Sequence, residues 1–185
     1  MRSLLTVVIL LTSFVGTHVV LHAQEKSKDE PSEESMAAYA DAANFQTGGA
    51  IDLAIEGWVD FLKEYPDHKM APQAAHYLGV CYMQKENPNY VAASKSFDKA
   101  LKEKKYELRE ESLANHGWCL YASSGEADNR DRVRLKRSIE TFKTLQKEFP
   151  KSPFLDRAMF YSGEAAYGMG EAKHCLLYTS PSPRD

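Results

Sequence analysis

The sequence predicts an all-α fold, and three observations carry that prediction. Apolar residues recur at three- and four-residue steps from Met36 to Gly170, the spacing that lines one face of a helix. No segment alternates apolar and polar residues long enough to argue for a strand. One stretch also repeats another: Phe61-Leu-Lys-Glu-Tyr-Pro through Tyr77-Leu-Gly79 matches Leu145-Gln-Lys-Glu-Phe-Pro through Tyr161-Ser-Gly163 without a gap. Each such unit is too small to bury its own apolar face, so the units must stack.

The elements follow in chain order. Ile51, Ala54, Ile55, Trp58, Phe61, Leu62 and Tyr65 share one helical face, and Pro66-Asp67 stops that helix. Ala71, Ala74, Ala75, Leu78, Cys81 and Tyr82 mark the next. Phe97, Ala100 and Leu101 lie on a third, and Leu113, Leu120 and Tyr121 on a fourth. Leu135, Ile139, Phe142, Leu145 and Phe149 form a further stripe closed by Pro150, and a last helix runs from about Leu155 to Met169.

The two ends read differently. Residues 1–23 have the layout of a secretory signal peptide: Arg2, an uncharged apolar run from Leu4 to Val15 extended by Val19-Val20-Leu21, and a cleavage point after Ala23. An uncleaved membrane anchor is the second reading, because the run is close to the roughly 17 residues a spanning helix needs but is broken by Thr, Ser, Gly and His. Residues 24–35 are a polar, mostly acidic linker expected to be disordered. The repeat domain spans 36–174. Residues 175–185, Cys-Leu-Leu-Tyr-Thr-Ser-Pro-Ser-Pro-Arg-Asp, resemble the in-frame translation of a sequencing adapter, and a Pro-Ser-Pro tail does not continue a helix. The expectation is a native protein that departs from this sequence after His174.

With 43% hydrophobic and 26% charged residues, the composition suits a packed core. A formal charge of −3 gives no concentrated basic face for nucleic acid. The one basic cluster, Arg130, Arg132, Arg134, Lys136 and Arg137, is interrupted by Asp131 and reads as a solvated helix face.

These residues resemble the tetratricopeptide repeat family in its exported bacterial form. The resemblance covers about residues 35–171 as four repeats. The first supplies Ala42, Phe45, Ala54, Trp58, Phe61 and Pro66, and the second Leu78, Gly79, Tyr82, Ala93, Phe97 and Ala100. The third supplies Gly117, Leu120, Ser138, Phe142, Leu145 and Pro150, and the fourth Gly163. The resemblance implies a right-handed superhelix of antiparallel helix pairs, an α-solenoid of about three and a half repeats. Gly79, Gly117 and Gly163 would admit the second helix of each pair, and Trp58, Phe97 and Phe142 would fill the space between repeats. Departures are Ala42 in place of glycine, the insertion Ala122 to Arg132, and Lys104-Lys105 where a proline would close the second repeat.

In that family the first helices line a concave groove. Carried over residue by residue, its facing positions are Tyr39, Ala43 and Gln46; His76, Val80 and Met83; Ala114, Trp118 and Tyr121; and Phe160, Glu164 and Tyr167. The large aromatics gather in the last two repeats, which points to a groove near Trp118, Tyr121, Phe160 and Tyr167 for an extended or helical peptide. The same side chains serve equally as packing against a neighbouring repeat, and the sequence leaves both readings open.

Catalytic chemistry is not expected. His76 and His116 with Cys81 and Cys119 lack Cys-x-x-Cys or His-x-x-x-His spacing, so no metal is assigned. The two cysteines follow equivalent glycines by two residues. Helices stacked roughly 8–10 Å apart would hold them beyond the separation of about 7 Å that a disulfide tolerates, so free buried thiols are predicted. Carboxylates lie on charged faces such as Lys102-Glu103-Lys104 and Arg109-Glu110-Glu111. There is no phosphate loop, nucleotide fingerprint or serine–histidine motif.

The expected function is therefore a periplasmic scaffold that binds a protein or peptide, with no cofactor, nucleic acid or small-molecule substrate and with membrane contact only through an uncleaved signal. It is similar to the Tol–Pal-associated cell-envelope coordinator and to outer-membrane assembly repeat proteins. It lacks the lipid-attachment cysteine of the latter and the coiled coil that usually precedes the repeats of the former. The alternative is the docking module of a longer protein whose effector domain is missing. A metal or redox protein is a third possibility.

Overall fold

A computed structural model describes residues 32–126 and 129–170. They form seven helices: α1 (Glu33–Thr47), α2 (Ile51–Glu64), α3 (Ala71–Gln84), α4 (Tyr90–Ala100), α5 (Arg109–Ala122), α6 (Arg132–Glu148) and α7 (Leu155–Gly168). The described residues are all-helical, as the periodicity predicts. Each helix packs on its neighbours in sequence, and α5 also meets α7. None is long and apolar enough to cross a membrane. The signal-like segment, the linker up to Pro31 and the adapter-like tail lie outside the described residues.

α1 starts three residues earlier than the sequence boundary at Met36. Ser32 and Ser35 form a reciprocal capping box, and Glu33 and Glu34 stand at the positive end of the helix dipole. These residues belong to the fold and not to a linker.

The repetition in sequence is repeated in local structure. α3, α5 and α7 are each 14 residues long and start and stop at equivalent positions. α2 and α6 end alike at Lys-Glu-aromatic-Pro: Tyr65 and Phe149 both leave the helical region, with φ −123° and −130°, because the following proline excludes it. Three residues on, His68 and Ser152 cap the next turn in the same way. His68 Nδ1 accepts from the Met70 N–H at 3.2 Å, and Ser152 Oγ accepts from the Phe154 N–H at 3.2 Å.

Where the proline is absent, Arg109 does its work. Its guanidinium forks onto Glu148, with Nε donating to Oε2 at 2.7 Å and Nη2 to Oε1 at 3.0 Å. Its Nη1 donates to the Leu101 and Glu103 carbonyls at 3.0 and 3.1 Å. The α4–α5 connection is thereby tied to the end of α6. Arg109 is buried, so its segment is not the solvated charged face expected from Arg109-Glu110-Glu111.

The core follows one register in three helices. Ala54, Trp58 and Phe61 of α2, Ala93, Phe97 and Ala100 of α4, and Ser138, Phe142 and Leu145 of α6 are all buried. Ser138 keeps its hydroxyl satisfied by donating to the Gly117 carbonyl at 2.7 Å. In the first pair the close approach is reversed: Ala42 stands where α3 and α5 have glycine, and Gly57 on α2 makes room for it. A Cβ on Gly57 would lie 2.9 Å from the Ala42 Cβ. The 122–132 insertion is a connection between α5 and α6, as expected.

Candidate interaction surface

The groove positions carried over from the repeat pattern divide into two sets. Those in the first half of the chain are structural. Tyr39 packs edge-on against Trp58 and Phe61, with ring centroids 4.8 and 5.4 Å apart, and burial with neighbouring Tyr77 pushes its hydroxyl up to about 12. Gln46 Oε1 accepts the Trp58 Nε1–H at 2.9 Å and so satisfies the indole inside the core. Met83 and Val80 pack at the edge of the Ala93–Phe97–Cys119 cluster.

His76 corrects the expectation outright. It is 2% exposed, its Nδ1 lies 2.7 Å from Ser112 Oγ, and the Phe97 ring is 5.6 Å away. Burial pushes its pKa down to about 4, so the ring is neutral near pH 7. A ligand cannot reach it. Ala114, at the equivalent position of α5, is buried as well.

The second half is different. Trp118 and Tyr121 of α5 are half-buried and meet Tyr161 of α7, at 4.5 and 5.0 Å between centroids, while Trp118 and Tyr121 lie 5.9 Å apart. Tyr90 meets Trp118 edge-on with centroids 6.0 Å apart, and Phe160 stands against Tyr161 at 5.1 Å. The Arg130 guanidinium lies 5.0 Å over the Tyr121 ring. The result is one continuous aromatic surface that crosses from α5 to α7 and ends in a cation.

Tyr167 is not part of these ring pairs. With Glu164, Arg130 and Arg132 it lines an open cavity of about 640 Å³ beyond the end of α7. Phe160 and Tyr167 are 62% and 73% exposed. The structure thus joins Trp118, Tyr121 and Phe160 and leaves Tyr167 beside them.

Tyr161, the hub, was not among the sequence candidates. The ungapped match pairs it with Tyr77, which stacks on Trp58 at 5.6 Å, so the equivalence of the two tyrosines was available as a signal. Arg130 was read as part of a solvated basic face. Instead it covers Tyr121, Arg134 donates to the Ser123 carbonyl at 2.6 Å, and Arg137 pairs with Asp98 of α4 at 3.1 Å. Arg132 and Lys136 remain exposed.

A cavity of about 840 Å³ lies elsewhere. It lies between the α2–α3 and α4–α5 connections and is lined by His68, Gln73, Lys99, Lys102, Lys105 and Tyr106 among others. It is an open, mixed-polarity basin at the ends of helices and shares no residue with the aromatic surface.

Cys81 and Cys119 are free and buried, as predicted, and burial pushes their thiols up to about 11 and about 12. Among the described residues no group of three or more His, Cys, Asp or Glu side chains is placed to hold a metal ion. No protein-family model and no curated protein matches the chain.

Proposed function

We propose that the protein is an exported scaffold of the tetratricopeptide-repeat type, a right-handed solenoid of helix pairs that holds a peptide or protein segment on its α5–α7 surface. The observation that carries this reading is the Trp118–Tyr121–Tyr161 cluster with Arg130 above it. Core aromatics in this fold, such as Trp58, are fully covered; these three are half-covered and adjacent, which is the arrangement of interface anchors. Large flat rings offer contact area with little rotamer entropy to lose, and the guanidinium favours a segment bearing a carboxylate. The ligand class is therefore an extended or helical peptide with apolar side chains and at least one acidic group. The signal-like residues 1–23 support export, with a cell-envelope role by analogy to the repeat proteins this chain resembles.

The test is binding of peptides selected by display on the intact protein. Trp118→Ala and Tyr161→Ala should each weaken the selected peptide at least tenfold, roughly 1.4 kcal/mol, while far-ultraviolet circular dichroism stays that of the parent. Affinities unchanged in both variants would sink the proposal. A second reading, that these repeats are the docking arm of a longer protein, draws on the exposed Phe160 and Tyr167 of α7.

A further inference from the structure

The basin between the α2–α3 and α4–α5 connections has unmet hydrogen-bonding capacity in its wall. Gln73 and Tyr106 both line it, and Gln73 Oε1 and Tyr106 Oη are buried without a hydrogen-bond partner among the described residues. Elsewhere in those residues only the two ring nitrogens of His116 share that condition. Buried polar side-chain atoms are nearly always paired, so two orphans in the wall of one cavity call for an occupant. Burial pushes the Tyr106 hydroxyl up to about 12, with nearby Ser112 offsetting part of the rise, so it stays a phenol able to donate at neutral pH. Gln73 Oε1 needs a donor.

The same basin is cationic. Lys69, Lys99, Lys102 and Lys105 line it, and none of them belongs to an ion pair among the described residues. Lys99 is held in place by donating to the Leu62 carbonyl at 3.4 Å. The lysines outnumber the carboxylates of the lining, Asp67, Glu103 and Glu107, and Glu103 Oε1 is already engaged by the Lys105 N–H at 2.8 Å. α3 opens onto the basin with neither a side-chain cap nor an acidic residue in its first turn, which leaves the positive end of its dipole uncompensated there. Among the described residues no arginine lines the basin, so it has no fork for a carboxylate. Ammonium groups beside a helix N-terminus suit the spread charge of a phosphate. A volume of about 840 Å³ is that of a small-molecule site and more than a lone ion fills.

We infer that this basin binds a soluble sugar phosphate. The phosphate lies among the lysines at the start of α3, and the sugar hydroxyls supply the donor that Gln73 lacks and the acceptor that Tyr106 lacks. The repeat pattern predicts no such ligand. The site shares no residue with the aromatic surface, so it stands or falls independently of the peptide proposal.

Isothermal titration calorimetry of the intact protein with glucose 6-phosphate, inorganic phosphate and glucose tests it. Glucose 6-phosphate should bind at least roughly tenfold more tightly than either of the other two. Replacing Lys102 and Lys105 together by glutamine should weaken glucose 6-phosphate and inorganic phosphate alike, because both use that charge. These two side chains are exposed, so this variant keeps the fold. Tyr106→Phe and Gln73→Met should each weaken glucose 6-phosphate roughly fivefold and leave inorganic phosphate unchanged. Trp118→Ala should alter none of these affinities. Equal affinity for glucose 6-phosphate and inorganic phosphate would reduce the basin to unspecific attraction by lysines and overturn the inference. So would the absence of binding at millimolar glucose 6-phosphate, which leaves water as the occupant, or full affinity in the lysine double variant. Binding confined to phosphatidylcholine vesicles that contain phosphatidylinositol 4-phosphate would overturn it too, since that assigns the basin to a membrane headgroup.

Discussion

Gly117 and Phe142 occupy interlocking space: both Cδ1 and Cζ of the ring stand 2.7 Å from where a Cβ on the glycine would be. The ring is buried. Gly117→Ala gains about 1 kcal/mol of helix propensity but overpacks the seam by about 1–3 kcal/mol, so a net loss is expected. Gly163→Ala gains about 0.5–1 kcal/mol, since a Cβ there meets nothing within 4 Å among the described residues. Chemical denaturation of the two variants should therefore move in opposite directions. Equal shifts of the same sign would contradict the packing described.

Arg109→Ala should cost on the order of 3 kcal/mol, because it removes four hydrogen bonds and leaves Glu148 and two turn carbonyls without their donor. Arg109→Lys should recover little of this, since an ammonium cannot fork onto both carboxylate oxygens. Urea midpoints of the three proteins give the order parent, lysine, alanine. A lysine variant indistinguishable from the parent would mean that charge alone holds the α4–α5 connection.

The helices were legible in the sequence because their stripes are strong. Ile51 to Tyr65 and Leu135 to Phe149 carry both the three-four spacing and a proline stop, and the structure ends α2 and α6 at those points. The close-approach role of Gly79 and Gly117 came with the resemblance to the repeat family, and the Phe97 and Phe142 rings stand where a Cβ on each would be. The surface was harder. Tyr39, His76 and Phe160 hold equivalent positions in sequence, yet His76 is buried, Tyr39 half-buried and Phe160 exposed, because exposure depends on which helices pack over each. Arg109 looked like part of a charged run; its partner Glu148 lies 39 residues away, beyond the reach of any local pattern. Tyr161 needed the α5–α7 contact to become a hub.

Cys81 and Cys119 should resist an aromatic disulfide reagent at pH 8 in the folded protein. Both thiols are buried and pushed up to about 11 and about 12, so almost no thiolate is present and what forms is shielded. Their modification should follow the rate of unfolding and become complete in denaturant. Rapid reaction of either thiol in native buffer, read by mass spectrometry of the labelled peptides, would show that the seams between helices open freely.

Acid should destabilise the protein through its two buried helical histidines. His76 and His116 are both pushed down from 6.5 to about 4, chiefly by burial; at His116, Arg137 adds to the fall and Asp98, 3.9 Å away, opposes it. Neither ring nitrogen of His116 has a hydrogen-bond partner among the described residues, and the carboxylate nearest His76 is Glu111 at 3.8 Å. A lowered folded-state value means that the unfolded chain binds more protons between pH 6.5 and about 4. The stabilisation from neutral imidazoles is thus complete above pH 6.5, falls as pH drops through that window, and changes no further below about 4. The loss amounts to roughly 3 kcal/mol for each histidine at most. Thermal midpoints from pH 7.5 to 4.5 should fall along this course, and His116→Gln should flatten the slope even where it lowers the midpoint at pH 7.5. Parallel curves for parent and variant would remove His116 as a source of acid sensitivity.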